Sequence, residues 1–305
     1  MPARAAIFLK LRSKLRGLAR LRFPGPGEKC SSCGRTHPSR LSRRLRLRPQ
    51  GVRLQGVWYC GAECLEQPLS EILRHDRIVP RRYGPGPHRV PLGLLLLSRQ
   101  QLTAEQLRTA LEMQKEAGYG KVGEWLQKLG YTTEQQITAA LARQWSCPVL
   151  KAGAESLRSR SSPIPWLLLE SFQMIPVEFA ESRGRFLIAF CEAVDHTVLY
   201  AVEQMLGCQT EACFVSPSAL REGLQALKLR HANNDIVFER LEHAGECARI
   251  VGSYAAKIGA EQVRLARCGE HVWIRLERLR RETVNLVFHA PLESSGPVHS
   301  IAAGG

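Results

Sequence analysis

Two stretches decide the fold, because each repeats the pattern of the other at an offset of 30 residues. Residues 92–114 read LGLLLLSRQQLTAEQLRTALEMQ, and residues 122–144 read VGEWLQKLGYTTEQQITAALARQ. Self-similarity at a fixed offset indicates that each copy forms one supersecondary unit. The sequence therefore predicts a tandem repeat at the centre of the chain.

Each copy predicts two short helices joined by a turn. The first helix covers 92–99 or 122–129, and the turn ends at Thr103 or Thr133. In both copies a glutamine lies three residues after the threonine, which is the capping-box pattern at the start of a helix. Apolar residues then recur at helical spacing. Gly130 lies where a helix C-cap favours glycine, whereas the first copy has Gln100 there.

The doubled pattern LG-x2-L-x6-T-x2-QL-x2-AL-x2-Q resembles the N-terminal domain of the type II secretion and type IV pilus assembly ATPases (the GspE/PilB/MshE family). The resemblance continues into 164–227, where MIPVEF and GRFLIAF match strands of the family's mixed α/β half. It implies one such domain over 92–228, with the tandem helical repeat at 92–145 and the α/β half at 164–228.

The resemblance also implies a ligand, because tandem units of this family can bind cyclic di-GMP. The family motif begins Arg-Leu-Gly, but this chain has Pro91 and Lys121 at the arginine positions. Lysine lacks the planar fork of arginine, and proline has no polar side chain. The apolar members of the motif fit helix core equally well. The candidate nucleotide-binding residues are Leu92, Gly93, Leu96, Lys121, Val122, Gly123, Leu126 and Gly130.

A second signal is a set of two cysteine pairs. Cys30 and Cys33 form C-x2-C, Cys60 and Cys64 form C-x3-C, and 26 residues separate the pairs. Four thiolates surround Zn²⁺ tetrahedrally and leave no open position, which is typical of a structural site. The spacing predicts a treble-clef-like zinc-binding segment at 29–79. The alternatives are free cysteines, or His37 in place of one cysteine ligand.

The charge is uneven along the chain. Residues 1–89 hold 20 Lys+Arg against 5 Asp+Glu, and the remaining residues hold 23 of each. This basic head predicts an anionic partner, which is nucleic acid, a membrane surface or an acidic protein. The arm at 1–28 alternates apolar and basic residues, so that it fits either a membrane-surface helix or a solvated basic arm.

Composition also bounds the architecture and the location. A chain of 305 residues allows two or three domains. The longest apolar run, 90–97, is short of the ~20 residues of a membrane span, and the N-terminus has no long apolar h-region. We expect a cytoplasmic protein, with peripheral attachment at the inner membrane left open. The prolines and glycines of 80–91 predict a linker, and 291–305 predicts a disordered tail.

No catalytic residues are predicted. The sequence holds no G-x4-G-K-[ST], so ATP binding and hydrolysis are not expected. Asp195 followed by His196 fits a helix cap better than a catalytic pair. Residues 235–290 predict a small C-terminal α+β module, with a helix at 236–258 followed by three strands.

The sequence as a whole predicts an α+β, multidomain protein. Its parts are a small zinc-knuckle head, a secretion-ATPase N-terminal-like domain without the ATPase core, and the C-terminal module. The predicted function is a non-enzymatic regulatory or docking protein of a type II secretion or type IV pilus-like system. The alternatives are a cyclic di-GMP effector with degenerate motifs and a nucleic-acid-binding protein that uses the basic zinc head.

Overall fold

The computed structural model describes residues 28–36, 51–74, 89–150, 162–180, 184–229, 235–239, 243–278 and 282–289. The predicted tail, His37, and most of the predicted arm and first linker lie outside these residues. The chain divides into two compact units, which we name by their place in the sequence. The central unit is Pro80–Asn233, and the terminal unit combines Met1–Val79 with Asn234–Gly305.

Both units mix helices with strands, which confirms the predicted α+β class. In chain order the elements are β1 (Val52–Leu54), β2 (Val57–Tyr59), α1 (Ala62–Arg74), α2 (Leu92–Ser98), α3 (Ala104–Ala117), α4 (Val122–Lys128), α5 (Glu134–Gln144), α6 (Trp166–Ser171), β3 (Met174–Ala180), β4 (Arg185–Phe190), α7 (His196–Leu206), β5 (Gln209–Phe214), α8 (Pro217–Lys228), β6 (Asp235–Phe238), α9 (Ala244–Ile258), β7 (Gln262–Cys268), β8 (His271–Arg278) and β9 (Glu282–His289). No helix among the described residues is long and apolar enough to span a membrane.

The tandem repeat begins the central unit, with α2 and α3 as one copy and α4 and α5 as the other. Thr103 and Thr133 each form the predicted capping box. In both, the threonine hydroxyl accepts the N–H of the glutamine three residues on, whose side chain accepts the threonine N–H. Two backbone donors that a helix start leaves unpaired are thereby satisfied.

The two copies bury the same positions. Leu96 and Leu126 are fully buried and lie in one small core with their neighbours from all four helices. Gly93 and Gly123 allow these helices to approach closely. A Cβ on Gly93 would lie 2.7 Å from Leu107 Cδ1, and one on Gly123 would lie 3.3 Å from a methyl carbon of Leu92. The recurring Leu-Gly pair therefore serves helix packing.

The α/β half of the central unit contains a three-stranded sheet in the order β3-β4-β5. Strand β3 is antiparallel to β4, and β5 is parallel to β4. Asp195 caps α7, because its Oδ1 accepts the N–H groups of Thr197 at 2.7 Å and Val198 at 3.2 Å. The structure thus bears out the cap that we preferred over a catalytic pair. Ser216 caps α8, because its hydroxyl accepts the N–H of Ala219 at 3.3 Å.

The terminal unit is built on a six-stranded sheet in the order β2-β1-β7-β8-β9-β6. Its neighbours are antiparallel except for two parallel pairs, β1 with β7 and β6 with β9. Helices α1 and α9 pack together. They share one hydrophobic core with the sheet, which includes Leu54, Leu65, Leu69, Cys247, Val251, Val263, Ile274 and Phe288.

This arrangement corrects two expectations about the ends of the chain. The cysteine-bearing segment is not a separate head, because Leu54 of β1 pairs with Val263 of β7 and α1 packs on α9. Two strands of three residues cannot bury a hydrophobic face alone, so they extend the C-terminal sheet. The helix predicted over 236–258 is likewise a strand followed by a helix. Phe238 of β6 stacks on Phe288 of β9, with 4.5 Å between ring centroids.

Candidate metal centre

The four predicted ligand cysteines come together in the terminal unit. Cys30 and Cys33 lie on a tight turn, Cys60 directly follows β2, and Cys64 lies in the first turn of α1. Their four Sγ atoms all lie within 4.8 Å of one another. The sulfurs of Cys33 and Cys60 are 3.4 Å apart, and those of Cys60 and Cys64 are 3.6 Å apart. The two halves of the sequence motif therefore meet in space.

Backbone hydrogen bonds shape the turn that carries the first pair. The Cys30 N–H donates to the Arg35 carbonyl at 2.8 Å, and the Gly34 N–H donates to the Cys30 carbonyl at 2.9 Å. Gly34 has φ of 72°, in the left-handed region that favours glycine. The Ser31 N–H reaches the Trp58 carbonyl at 3.4 Å. The turn is thus tied to the β1–β2 hairpin, which positions the second pair.

The thiols differ in their electrostatic surroundings. Burial raises the pKa of Cys30, but backbone N–H groups of Cys33, Cys60 and Ser32 donate hydrogen bonds that outweigh it and bring the pKa to about 6. Burial and then hydrogen bonds with the other thiols raise the pKa of Cys60 to about 12. Burial also raises the pKa of Cys64. A bound divalent cation would lower the pKa of all four thiols, because it stabilises every coordinated thiolate.

The donor set fits one kind of metal. Four sulfurs bound tetrahedrally to Zn²⁺ at about 2.3 Å lie about 3.8 Å apart, close to the spacing of these thiols. Four thiolate donors also suit a soft or borderline ion rather than Mg²⁺ or Ca²⁺. The site is continuous with the core of the terminal unit, because Cys30 is 3% exposed and Cys60 and Cys64 pack against that core.

The predicted nucleotide-binding residues are placed differently. Gly93, Leu96, Gly123 and Leu126 are buried, Leu92 and Val122 are half-buried, and Lys121 and Gly130 are exposed. A fully buried leucine offers no surface to a base, so Leu96 and Leu126 act as core residues. Lys121 forms an ion pair with Glu192 of the α/β half. The structure therefore gives Leu96 and Leu126 packing roles, whereas Lys121 and Gly130 remain at the surface.

Sequence reasoning missed the role of the glutamine that ends each copy. Gln114 donates from Nε2 to the Gly120 carbonyl at 2.8 Å, directly before the second copy. Gln144 donates from Nε2 to the Val90 carbonyl at 2.7 Å, before the first copy. Each copy thereby holds the residues just before the other copy in place. We call these two hydrogen bonds the glutamine clasps. The signal was the recurrence of glutamine at the same place in both copies.

Arg89 also has a structural partner. Its guanidinium lies 3.3 Å from the centroid of the Trp145 ring, which follows α5. A cation held over an aromatic face at this distance is attracted by the ring quadrupole. Together with the bond from Gln144, this contact joins the residues before α2 to the end of α5.

These features define a class: an α+β protein with a four-cysteine cluster and a doubled helical repeat joined to an α/β half. The sequence is 27% identical over 129 residues to the type IV pilus assembly ATPase PilB of Thermus thermophilus. The match covers 42% of this chain and 14% of that protein, so the chain spans a small part of its length. No family model matches the chain.

Solved structures show a similar part. MshE with cdg matches at 24% identity and a TM-score of 0.37, covering 46% of this chain and 99% of that chain. The N-terminal domain of XpsE matches at 20% identity and a TM-score of 0.34, covering 44% and 92%. The sequence match to a pilus assembly ATPase agrees with the family that the doubled motif predicted.

Proposed function

We propose that this chain is a non-enzymatic docking or regulatory protein of a type II secretion or type IV pilus-like system. The observation that carries the proposal is its similarity over 129 residues to a pilus assembly ATPase, in a sequence that holds no G-x4-G-K-[ST]. The similar region supplies a binding surface without a phosphate-binding loop. The chain would act by occupying a docking position.

Docking of this kind predicts competition. A domain similar to the N-terminal domain of an assembly ATPase should recognise the same component of the machine. Binding would therefore exclude the ATPase, or would hold the machine in a state without it. The central unit would carry this interaction, because it contains the doubled motif.

The test is a competition assay with the full chain. The component that binds the ATPase N-terminal domain is immobilised, and the purified chain is titrated against labelled ATPase from the same organism. We expect displacement that changes little between low and high salt, because the central unit holds 17 Lys+Arg against 14 Asp+Glu. Absence of displacement at saturating chain would contradict the proposal.

We also propose that the terminal unit holds one structural Zn²⁺ through Cys30, Cys33, Cys60 and Cys64. The clustering of the four thiols supports this. Four protein ligands close the coordination sphere, so the ion would have no position for substrate and no catalytic role. Its contribution would be to folding, since coordinated ligands from both ends of the motif are held together.

Elemental analysis of the purified chain tests the zinc proposal. We expect one Zn²⁺ per chain, and a loss of most of it in Cys33→Ser. The matched control is Cys147→Ser, which changes a half-buried thiol of the central unit outside the cluster. Equal zinc content in both variants would contradict the assignment.

A second candidate is binding of an anionic polymer by the terminal unit. This unit holds 26 Lys+Arg against 14 Asp+Glu and so carries most of the excess positive charge. Binding of single- or double-stranded DNA followed by fluorescence anisotropy should weaken steeply with salt, because phosphate contacts release counterions. A weak or salt-independent signal would remove this candidate.

The predicted nucleotide-binding residues offer cyclic di-GMP few exposed groups. The apolar residues that would pack on a base are buried or half-buried, and Lys121 is paired with Glu192. We expect calorimetric titration of cyclic di-GMP into the full chain to give no binding heat. Micromolar binding that Lys121→Ala weakens would instead establish the effector function.

A further inference from the structure

An open apolar groove lies between α2 and α3, in the first copy of the repeat. Its volume is ≈ 340 Å³, and its floor is formed by Leu97, Ala104, Leu107 and Leu111. Leu111 is 46% exposed, and Leu94, one turn before Leu97, is 52% exposed. A groove with an apolar floor is the shape that receives an amphipathic helix. We name it the α2–α3 groove.

In the second copy, the corresponding face of α5 is covered by the α/β half. Thr138 and Ala142 of α5, which correspond to Arg108 and Glu112 of α3, are 3% and 2% exposed. They are buried because α5 packs against β5 of the α/β half. Glu134, at the start of α5, also accepts hydrogen bonds from the Ser218 N–H at 2.8 Å and hydroxyl at 2.6 Å. Among the described residues, α3 has no corresponding cover.

Arg108, Glu112 and Lys115 line the groove, and together with Glu105 of α3 they form a symmetric pattern of charges. Glu105 and Lys115 lie five residues before and after Ala110. Arg108 and Glu112 lie two residues before and after it. A second α3 running antiparallel would place Lys115 opposite Glu105 and Glu112 opposite Arg108. Within one chain, Arg108 approaches Glu105 and Glu112 only at 3.9 Å, with all three side chains more than 60% exposed. These loose pairs leave the charges available for a partner.

We propose that the central unit forms a two-fold symmetric homodimer through the α2–α3 groove, with α3 of one copy lying antiparallel to α3 of the other. The occupant of the groove is therefore a second copy of this chain. Closed two-fold pairing is the commonest form of self-association, and it requires one surface that is complementary to itself. The apolar floor and the symmetric pattern of charges meet that requirement. This inference goes beyond the docking function and does not depend on it.

Charge reversal in the full chain tests the pairing. In the proposed dimer, position 108 of each copy faces position 112 of the other. Arg108→Glu therefore places two negative charges opposite each other at both of these contacts, and Glu112→Arg places two positive charges there. Sedimentation equilibrium should show a dimer for the unchanged chain and a dissociation constant raised by about tenfold or more for each variant. The control is Glu116→Lys, an exposed change on α3 outside the groove lining.

Mixing the two variants separates this geometry from a folding defect. In a mixture of equal amounts, every reversed charge on one chain meets an opposite charge on the other, so a heterodimer should form. Recovery of the dimer in the mixture, weakened by added salt, is the expected result. A monomeric unchanged chain, or a dimer that neither variant weakens, would overturn the proposal.

Discussion

The terminal unit and the central unit form their cores in opposite ways. The terminal unit brings together residues from both ends of the chain, since β1 pairs with β7 across roughly 200 residues of sequence. Its four cysteines are drawn from two segments as well. The repeat of the central unit is instead held by neighbouring helices, by capping boxes and by the two glutamine clasps.

This difference teaches where each unit is vulnerable. In a unit assembled from distant segments, each segment depends on the other for its core, so a metal that holds 28–36 against 51–74 would support the whole unit. A unit assembled from adjacent repeats distributes its stability over many local contacts. Single substitutions should therefore unfold the terminal unit more readily than the central unit, and the following predictions test this in order of effect.

The largest effect is expected for Cys60→Ser, because Cys60 is within reach of both Cys33 and Cys64. Removing a ligand should cost several kcal/mol of unfolding free energy in the terminal unit, since metal binding is coupled to folding. Calorimetric unfolding should show one transition shifted to lower temperature. The control Cys208→Ser, in the central unit, should leave that transition in place. Equal shifts for both variants would contradict the comparison.

The next effect concerns helix packing within the repeat. Gly93→Ala brings a methyl group to 2.7 Å from Leu107, whereas Gly123→Ala meets its nearest neighbour at 3.3 Å. We expect Gly93→Ala to lower the unfolding free energy of the central unit by about 1–3 kcal/mol through overpacking. Gly123→Ala should cost less, and denaturant unfolding of the two variants measures the difference. A larger cost at Gly123 would show that the two copies are not packed as described.

Backbone conformation predicts a pair of opposite effects. Gln100 and Gly130 occupy the same place in the two copies with φ of 56° and 69°, in the left-handed region. Gln100→Gly should stabilise the central unit by about 1 kcal/mol, because a side chain is strained there and glycine is not. Gly130→Ala should destabilise it by a similar amount, although nothing lies within 4 Å of the added methyl group. Changes of the same sign in both variants would refute this account.

The smallest effect is expected at the clasps. Gln144→Ala removes the bond from Nε2 to the Val90 carbonyl and should cost about 0.5–1.5 kcal/mol. Gln114→Ala removes the equivalent bond to Gly120 and should cost a similar amount. Amide hydrogen exchange would show faster opening at the start of α2 in the first variant and of α4 in the second. Unchanged exchange at both places would show that the two glutamine bonds do not hold these helix starts in place.

Most of the central unit was predictable, because its determinants are local. The threonine–glutamine boxes, the Asp195 cap and the repeated burial pattern all depend on residues within a few positions of each other. The two halves of the four-cysteine cluster were predictable for the same reason, because each is a closely spaced pair. The packing role of Leu96 and Leu126 was less certain, since an apolar repeat fits both a core and a ligand surface.

The terminal unit was predictable only in pieces. The strands β7 to β9 follow from alternating residues, but no local signal indicates that β1 extends their sheet or that α1 covers α9. Strand β6 is only four residues long, and the sequence predicts these residues as part of the helix that follows. Pairing between distant segments depends on which faces remain to be covered, and this is set by the assembled core rather than by local sequence.

The cysteine segment and the C-terminal sheet should unfold as one cooperative unit, separately from the repeat. Hydrogen exchange measured by mass spectrometry, on the full chain with and without a zinc chelator, reports each segment directly. The predicted result is loss of protection in 51–74 and 243–289 together, with 92–150 and 184–229 unchanged. Loss confined to 28–74, with 243–289 still protected, would contradict it and restore an independent zinc-binding head.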